Sequence, residues 1–169
     1  MTHKYWGYHG TTRANADEIL RSGRFRFSTE EQEWLGRGIY FFENDPRQAR
    51  NWCMKARKYP EWAVLRSKIE ANVVIDLVDT ETFERFRSIA NRMKMRYTKL
   101  RDGRPRHLIN SVVLNAMYEA EPYDLVRGIF EVPSTYTVDR TNIKQYQIQL
   151  CVRNLQCVKE TSEVERSAC

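Results

Sequence analysis

Tyr8-His9-Gly10-Thr11-Thr12 closes one short apolar run, and Gly36-Arg37-Gly38-Ile39-Tyr40-Phe41-Phe42 forms a second. The first run begins as a strand over Lys4 to Tyr8 and breaks at Gly10. A helix signal follows it directly. Thr12 is an N-cap, Ala14, Ala16, Ile19 and Leu20 fall at helical spacing, and Gly23 is a stop. The second run is a strand opened by glycine and rich in β-branched and aromatic residues. Behind it Asn44-Asp45-Pro46 starts another helix, with Asp45 as cap and Pro46 at the first helical position, running through Ala49, Trp52 and Cys53. We read the two runs as halves of one site.

A strand ending in His-Gly-Thr, then a Gly-x-Gly-Ile-Tyr-Phe strand, then a helix carrying an aromatic resembles the diphtheria-toxin and poly(ADP-ribose) polymerase branch of the ADP-ribosyltransferases. The resemblance is confined mainly to residues 5–53. It implies NAD as substrate, with His9 on the nicotinamide ribose and the Gly10 backbone on the carboxamide. It implies two aromatic walls for the nicotinamide ring. Tyr40 is one; Trp52 is the other, although the family's spacing points to Asn51. Thr11 joins the binding set. The segment over residues 28–37 lies over the dinucleotide in that family, which makes Arg37 and Arg24 candidates for the pyrophosphate, or else exposed surface cations.

The family also carries a glutamate at the start of its late strand. No glutamate begins the last strand here. By the apolar run that follows, Leu150-Cys151-Val152, the matching residue is Gln149. Glutamine fixes a hydroxyl but takes no proton and carries no charge. That departure argues against polymer elongation and leaves single transfer. Glu131, just before a loop at 133–142, is a candidate for the missing base. NAD is already an activated donor, so the protein's task is positioning and electrostatics more than nucleophilic attack. Of the three histidines only His9 sits at a strand end beside a glycine turn.

Further along, the residues speak mainly of packing. Arg24-Phe-Arg-Phe27 alternates as a short strand would. Strands are expected over Trp62–Ala71, Val73–Leu77, Asp124–Val132 and Gln145–Arg153. Asp79 or Thr80 caps a helix whose apolar face is Phe83, Phe86, Ile89, Ala90 and Met93, and another helix runs from Leu108 to Tyr118. Lys94 to His107 is the most basic tract and holds Tyr97, a composition suited to single-stranded nucleic acid or to a solvated loop. The expected architecture is α+β: two small, mostly antiparallel sheets meeting in a split that clasps NAD, with helices outside. Residues 1–158 form one catalytic domain and 159–169 a polar, frayed tail.

The 169 residues suffice for one core. Charged residues make up 30% and the net charge is +6, which suits an anionic partner without choosing one. Cys53, Cys151, Cys157 and Cys169 show no metal-ligand spacing, and no metal is expected. No stretch has the length of a membrane span and the N-terminus lacks a signal peptide's apolar run, so a cytoplasmic protein with no membrane partner is expected. The leading reading is a mono-ADP-ribosyltransferase acting on a macromolecule, with RNA or DNA slightly favoured over protein. Bacterial toxins and phage-defence factors belong to that class, which brings in an antitoxin or inhibitor partner. The alternatives are a non-catalytic module holding NAD or ADP-ribose, an NAD glycohydrolase, and, more weakly, an RNA phosphotransferase.

Overall fold

The computed structural model describes residues 1–28, 34–96, 110–132 and 144–168. Their order is β1 (His3–Thr12), α1 (Arg13–Ser22), β2 (Ile39–Glu43), α2 (Pro46–Asn51), β3 (Trp62–Ala71), β4 (Val74–Asp76), α3 (Thr80–Arg96), α4 (Asn110–Ala120), β5 (Leu125–Glu131), β6 (Tyr146–Val152) and β7 (Val158–Arg166). All seven strands join one sheet in the order β4-β5-β6-β2-β1-β3-β7. Every neighbouring pair is antiparallel except β4 with β5. The mixed, mostly antiparallel architecture expected from the sequence is therefore present, but as a single sheet where two were expected.

One junction within that sheet is short. β1 pairs with β3 along its whole length, from His3↔Ala71 to Thr12↔Trp62. Its register with β2 covers only Gly7↔Glu43 and Tyr8↔Phe42. Past that point β2 continues against β6, with Tyr40↔Cys151 and Ile39↔Val152. The strands diverge where His9 and Gly10 follow Tyr8.

Local chemistry sets the helices as the sequence implies. Thr12 caps α1 by accepting from the Asn15 N–H at 3.3 Å, and Gly23 ends it in the left-handed region at φ 68°. Ala16 and Ile19 bury α1 against Phe25, Phe41, Leu65 and Leu150 on one face of the sheet. Asp45 caps α2 at 3.0 Å from the Gln48 N–H. On the opposite face Ala49 and Cys53 pack with Phe42, Trp62 and Val64. Beside them α3 and α4 cover Val126 and Cys151 through Phe86, Val113, Leu114 and Met117. Arg127 joins three strands: its Nε lies 2.6 Å from Glu43 and its Nη1 3.2 Å from Asp76.

Several expectations need correction. β1 does not break at Gly10: it runs on to Thr12 against β3, so His9 lies within the strand and not at its end, and β2 begins at Ile39, not Gly36. Residues 24–27 form no strand; Phe25 enters the core and Ser28 N–H donates to the Gly38 carbonyl at 3.1 Å. The second helix does not continue regularly through Trp52. It gives way to a π-turn over Trp52–Ala56, closed by Arg57 N–H to the Trp52 carbonyl at 2.9 Å. The polar residues after 158 are not frayed: they form edge strand β7, paired with β3 from Ile69↔Val158 to Ala63↔Arg166. Phe83 is exposed on α3 rather than packed, while Phe86 is buried. The basic tract lies mostly outside the described residues, as does the loop after Val132.

Candidate functional site

The split opens into a cavity of about 420 Å³. That size falls within the range of about 300–1,000 Å³ usual for small-ligand sites. His9, Thr11, Ile39, Arg26 and Ser28 line it together with Tyr40, Phe42, Trp52, Trp34 and Gln149. His9 and Ile39 belong to the sheet face under α1; Tyr40, Phe42 and Gln149 belong to the face under α2 and α4, because register pairs share a face. The cavity thus draws its lining from both faces of the sheet, where the β1–β2 pairing stops.

His9 stands at the fork. Its Nδ1 lies 2.8 Å from the Tyr40 carbonyl oxygen. A carbonyl only accepts, so Nδ1 carries the proton and donates. The side chain thereby replaces the ladder bond lost where β1 leaves β2. Burial among Phe25 and Phe41 (ring centroids at 5.5 and 5.6 Å) lowers the His9 pKa, against the smaller opposing effect of the carbonyl. The ring is neutral near pH 7, and Nε2 is an acceptor suited to a ligand hydroxyl.

Gly10 contributes backbone. Asn44 N–H donates to the Trp6 carbonyl at 2.9 Å, so even-numbered residues of β1 turn their main-chain groups toward β2. Gly10 is the next such residue after the last β1–β2 pair, and its N–H and C=O face the split. A side chain is excluded there, because a Cβ would sit 2.4 Å from the Ala49 carbonyl oxygen and 2.6 Å from Cys53 Sγ. Thr11 is buried beside it, its hydroxyl 3.5 Å from Asn15 Nδ2. Cys53 is no nucleophile: burial pushes its thiol up to about 12.

The aromatic walls come from two elements. Tyr40 lies on β2, and its hydroxyl donates to the Gly36 carbonyl at 2.7 Å and accepts from Leu35 N–H at 3.1 Å. The hydroxyl is thus committed to the 35–36 turn. Trp52, at the start of the π-turn, lines the cavity, and Asn51 does not. Gln149, buried on β6 opposite Phe42, accepts from the Trp34 indole N–H at 3.1 Å.

Several expected residues stand elsewhere. Arg37 and Arg24 are exposed and do not line the cavity; Arg37 lies over the Phe27 ring at 5.4 Å. The arginines that do line it are Arg26 and Arg57, neither singled out by the sequence. Glu131 is away from the cavity, in an exposed ion pair with Lys144 at 3.0 Å. Among the described residues no Asp or Glu lines the cavity. Sequence reasoning also missed Trp34 and Tyr59. Arg57 lies over the rings of Trp52 and Tyr59, at 5.9 and 5.8 Å, where the π-turn ends. That cluster had one visible signal, aromatic and cationic residues at 52, 57 and 59 following the Asp45-Pro46 cap.

Fold and site together define a mixed α/β protein with a mostly antiparallel sheet, split to form an aromatic-walled cavity with one neutral histidine. No protein-family model matches the chain. It is 28% identical to MJ0359 of Methanocaldococcus jannaschii, described as an uncharacterized protein, over 183 aligned positions that cover 90% of this chain and 84% of the relative. Among the described residues no group of three or more His, Cys, Asp and Glu is placed to hold a metal ion, and no helix is long and apolar enough to cross a membrane.

Proposed function

We propose that the chain binds NAD in the split and transfers its ADP-ribose once to a macromolecular acceptor, as a mono-ADP-ribosyltransferase with an ADP-ribosyltransferase-like fold. The observation that carries this reading is the convergence of His9, the Gly10 backbone, Tyr40, Trp52 and Gln149 on one cavity from four separate elements. The roles follow from the donors and acceptors. Gly10 N–H and C=O match a carboxamide, which needs one of each. Tyr40 and Trp52 supply ring surface; an aromatic pair contributes about 0.5–1.5 kcal/mol beyond area burial. Nε2 of His9 accepts from a ribose hydroxyl, and Gln149 fixes the ribose without charge.

In the reaction the bond between ribose C1′ and the pyridinium nitrogen breaks, and nicotinamide leaves neutral with the bonding pair. The acceptor's nucleophilic atom bonds to C1′ and gives its proton to solvent or to its own neighbouring base. With no carboxylate lining the cavity among the described residues, repeated extension through an activated ribose hydroxyl is not supported. The same observation favours a second reading, a module that holds NAD or ADP-ribose without reaction.

Incubation of the protein with labelled NAD and cell lysate, followed by nuclease or protease, separates the readings. Nuclease-sensitive label means a nucleic-acid acceptor and protease-sensitive label a protein. Nicotinamide release without label means hydrolysis. Binding without either supports the module. His9→Ala and Tyr40→Ala, folded by circular dichroism, are expected to abolish transfer; wild-type transfer by either variant would overturn the assignment.

A further inference from the structure

We propose that Trp34 is a built-in occupant of the cavity, an indole that holds the Tyr40–Trp52 aromatic surface and the Gln149 acceptor until a ligand ring displaces it. The proposal rests on the reading of this cavity as the site for an aromatic carboxamide.

Trp34 stands nearly perpendicular to both walls, at 6.2 Å from Tyr40 with an interplanar angle of 73° and at 6.4 Å from Trp52 with 83°. Phe130 supports it from β5 at 5.8 Å. Its Nε1–H donates to Gln149 Oε1 at 3.1 Å. The residue is nonetheless 38% exposed. A ring entering against Tyr40 and Trp52 must take surface that Trp34 now covers. A group seeking Gln149 must replace an N–H donor. The nicotinamide end of NAD supplies a flat ring and, on its ribose, a hydroxyl donor for Gln149, as the indole supplies a ring and one N–H. The chain thus presents to its own cavity the features that the ligand offers.

Only the fraction of molecules with Trp34 withdrawn is competent to bind, and the apparent dissociation constant rises as that fraction falls. Removing the indole therefore tightens binding. Were Trp34 a permanent wall, removing it would weaken binding.

The test is calorimetric titration of wild type, Trp34→Ala and Trp34→Phe with nicotinamide, NAD and free indole. Trp34→Ala is expected to bind nicotinamide and NAD at least tenfold more tightly than wild type, which is about 1.4 kcal/mol. It is also expected to take up indole, which wild type excludes. Trp34→Phe, which keeps a ring and loses the N–H, falls between them. Weaker NAD binding by both variants overturns the proposal and makes Trp34 a wall. Failure of Trp34→Ala to take up indole, with no gain for nicotinamide, overturns it as well. Indole uptake by Trp34→Ala with no NAD or nicotinamide bound by any variant upholds the occupied slot and sinks the NAD reading alone.

Discussion

At Nδ1 of His9 a single hydrogen bond decides the tautomer of the ring, while burial decides its charge. Desolvation by its neighbours outweighs the opposing effect of the Tyr40 carbonyl at 2.8 Å, and the imidazole titrates below its ordinary value. In the window between the lowered pKa and about 6.5 the unfolded chain holds a proton that the folded chain does not. Acid therefore favours unfolding: the contribution is whole above about 6.5 and is lost as pH falls below it. His9→Asn keeps a donor for the carbonyl and removes the titration. The wild type should lose more Tm than His9→Asn on going from about pH 7.5 to about pH 5.5; equal losses would show that His9 is not desolvated. Gln149 is the second residue whose chemistry is testable alone. Losing one transition-state contact costs about 10²–10³ in rate, and that fall is expected for Gln149→Ala in single-turnover NAD cleavage. Gln149→Glu keeps an acceptor for the Trp34 indole and adds an anion beside the ribose, so NAD hydrolysis or chain extension should rise. Wild-type cleavage by Gln149→Ala would move the third position off this residue.

Between elements, contact distance governs. The β1 strand approaches α2 and the π-turn after it so closely that Gly10 has no room for a methyl group. Gly10→Ala places a Cβ against a backbone carbonyl, which cannot swing aside, and overpacking of that kind costs about 1–3 kcal/mol. Thermal unfolding should register it at roughly 2–4 °C per kcal/mol; an unchanged Tm would mean that the helix stands further off. This closeness also explains what the sequence made visible. Caps, stops and strand alternation are local, so α1, the start of α2 and β3 were legible residue by residue, and β2 and β6 were legible in place though not in their ends. The π-turn was not. Nothing in Asn51-Trp52-Cys53 announces the extra residue per turn, and the choice between Asn51 and Trp52 depended on it. Trp34 was hidden differently: it is one aromatic in a polar stretch without periodicity, and its partner Gln149 lies 115 residues away. Strand β7 was hidden by its composition. Charged residues on an edge strand protect it from pairing with other chains, and hydropathy reads the same residues as a solvated tail.

Across the whole molecule β7 closes the sheet on the β3 side. It covers the buried Ser67 hydroxyl, 2.8 Å from Thr161, and the chain beyond it bonds back through Ser167 to Trp62 N–H at 3.0 Å and to Arg13 at 2.6 Å. Ending the chain after Cys157 would leave β3 as the edge, with Val64 and Leu65 in an unprotected strand. That truncation should lower the denaturant midpoint and increase aggregation on concentration, read by chemical unfolding and light scattering. Unaltered values in both would show that β7 lies outside the cooperative unit.

The two-pair junction between β1 and β2 has a consequence for how the protein opens in time. Strands β1, β3 and β7 form one ladder, and β4, β5, β6 and β2, tied across by Arg127, form another. Gly7, Tyr8, Phe42 and Glu43 are the seam that joins them. Partial unfolding that follows the weakest ladder runs along this seam, so solvent deuterium reaches the amides of Tyr8 and Phe42 before those of Leu65 and Val126. A molecule bridging His9 to Tyr40 would stitch the seam from the open end, and the isotope clock at those amides would slow without any change elsewhere in the sheet.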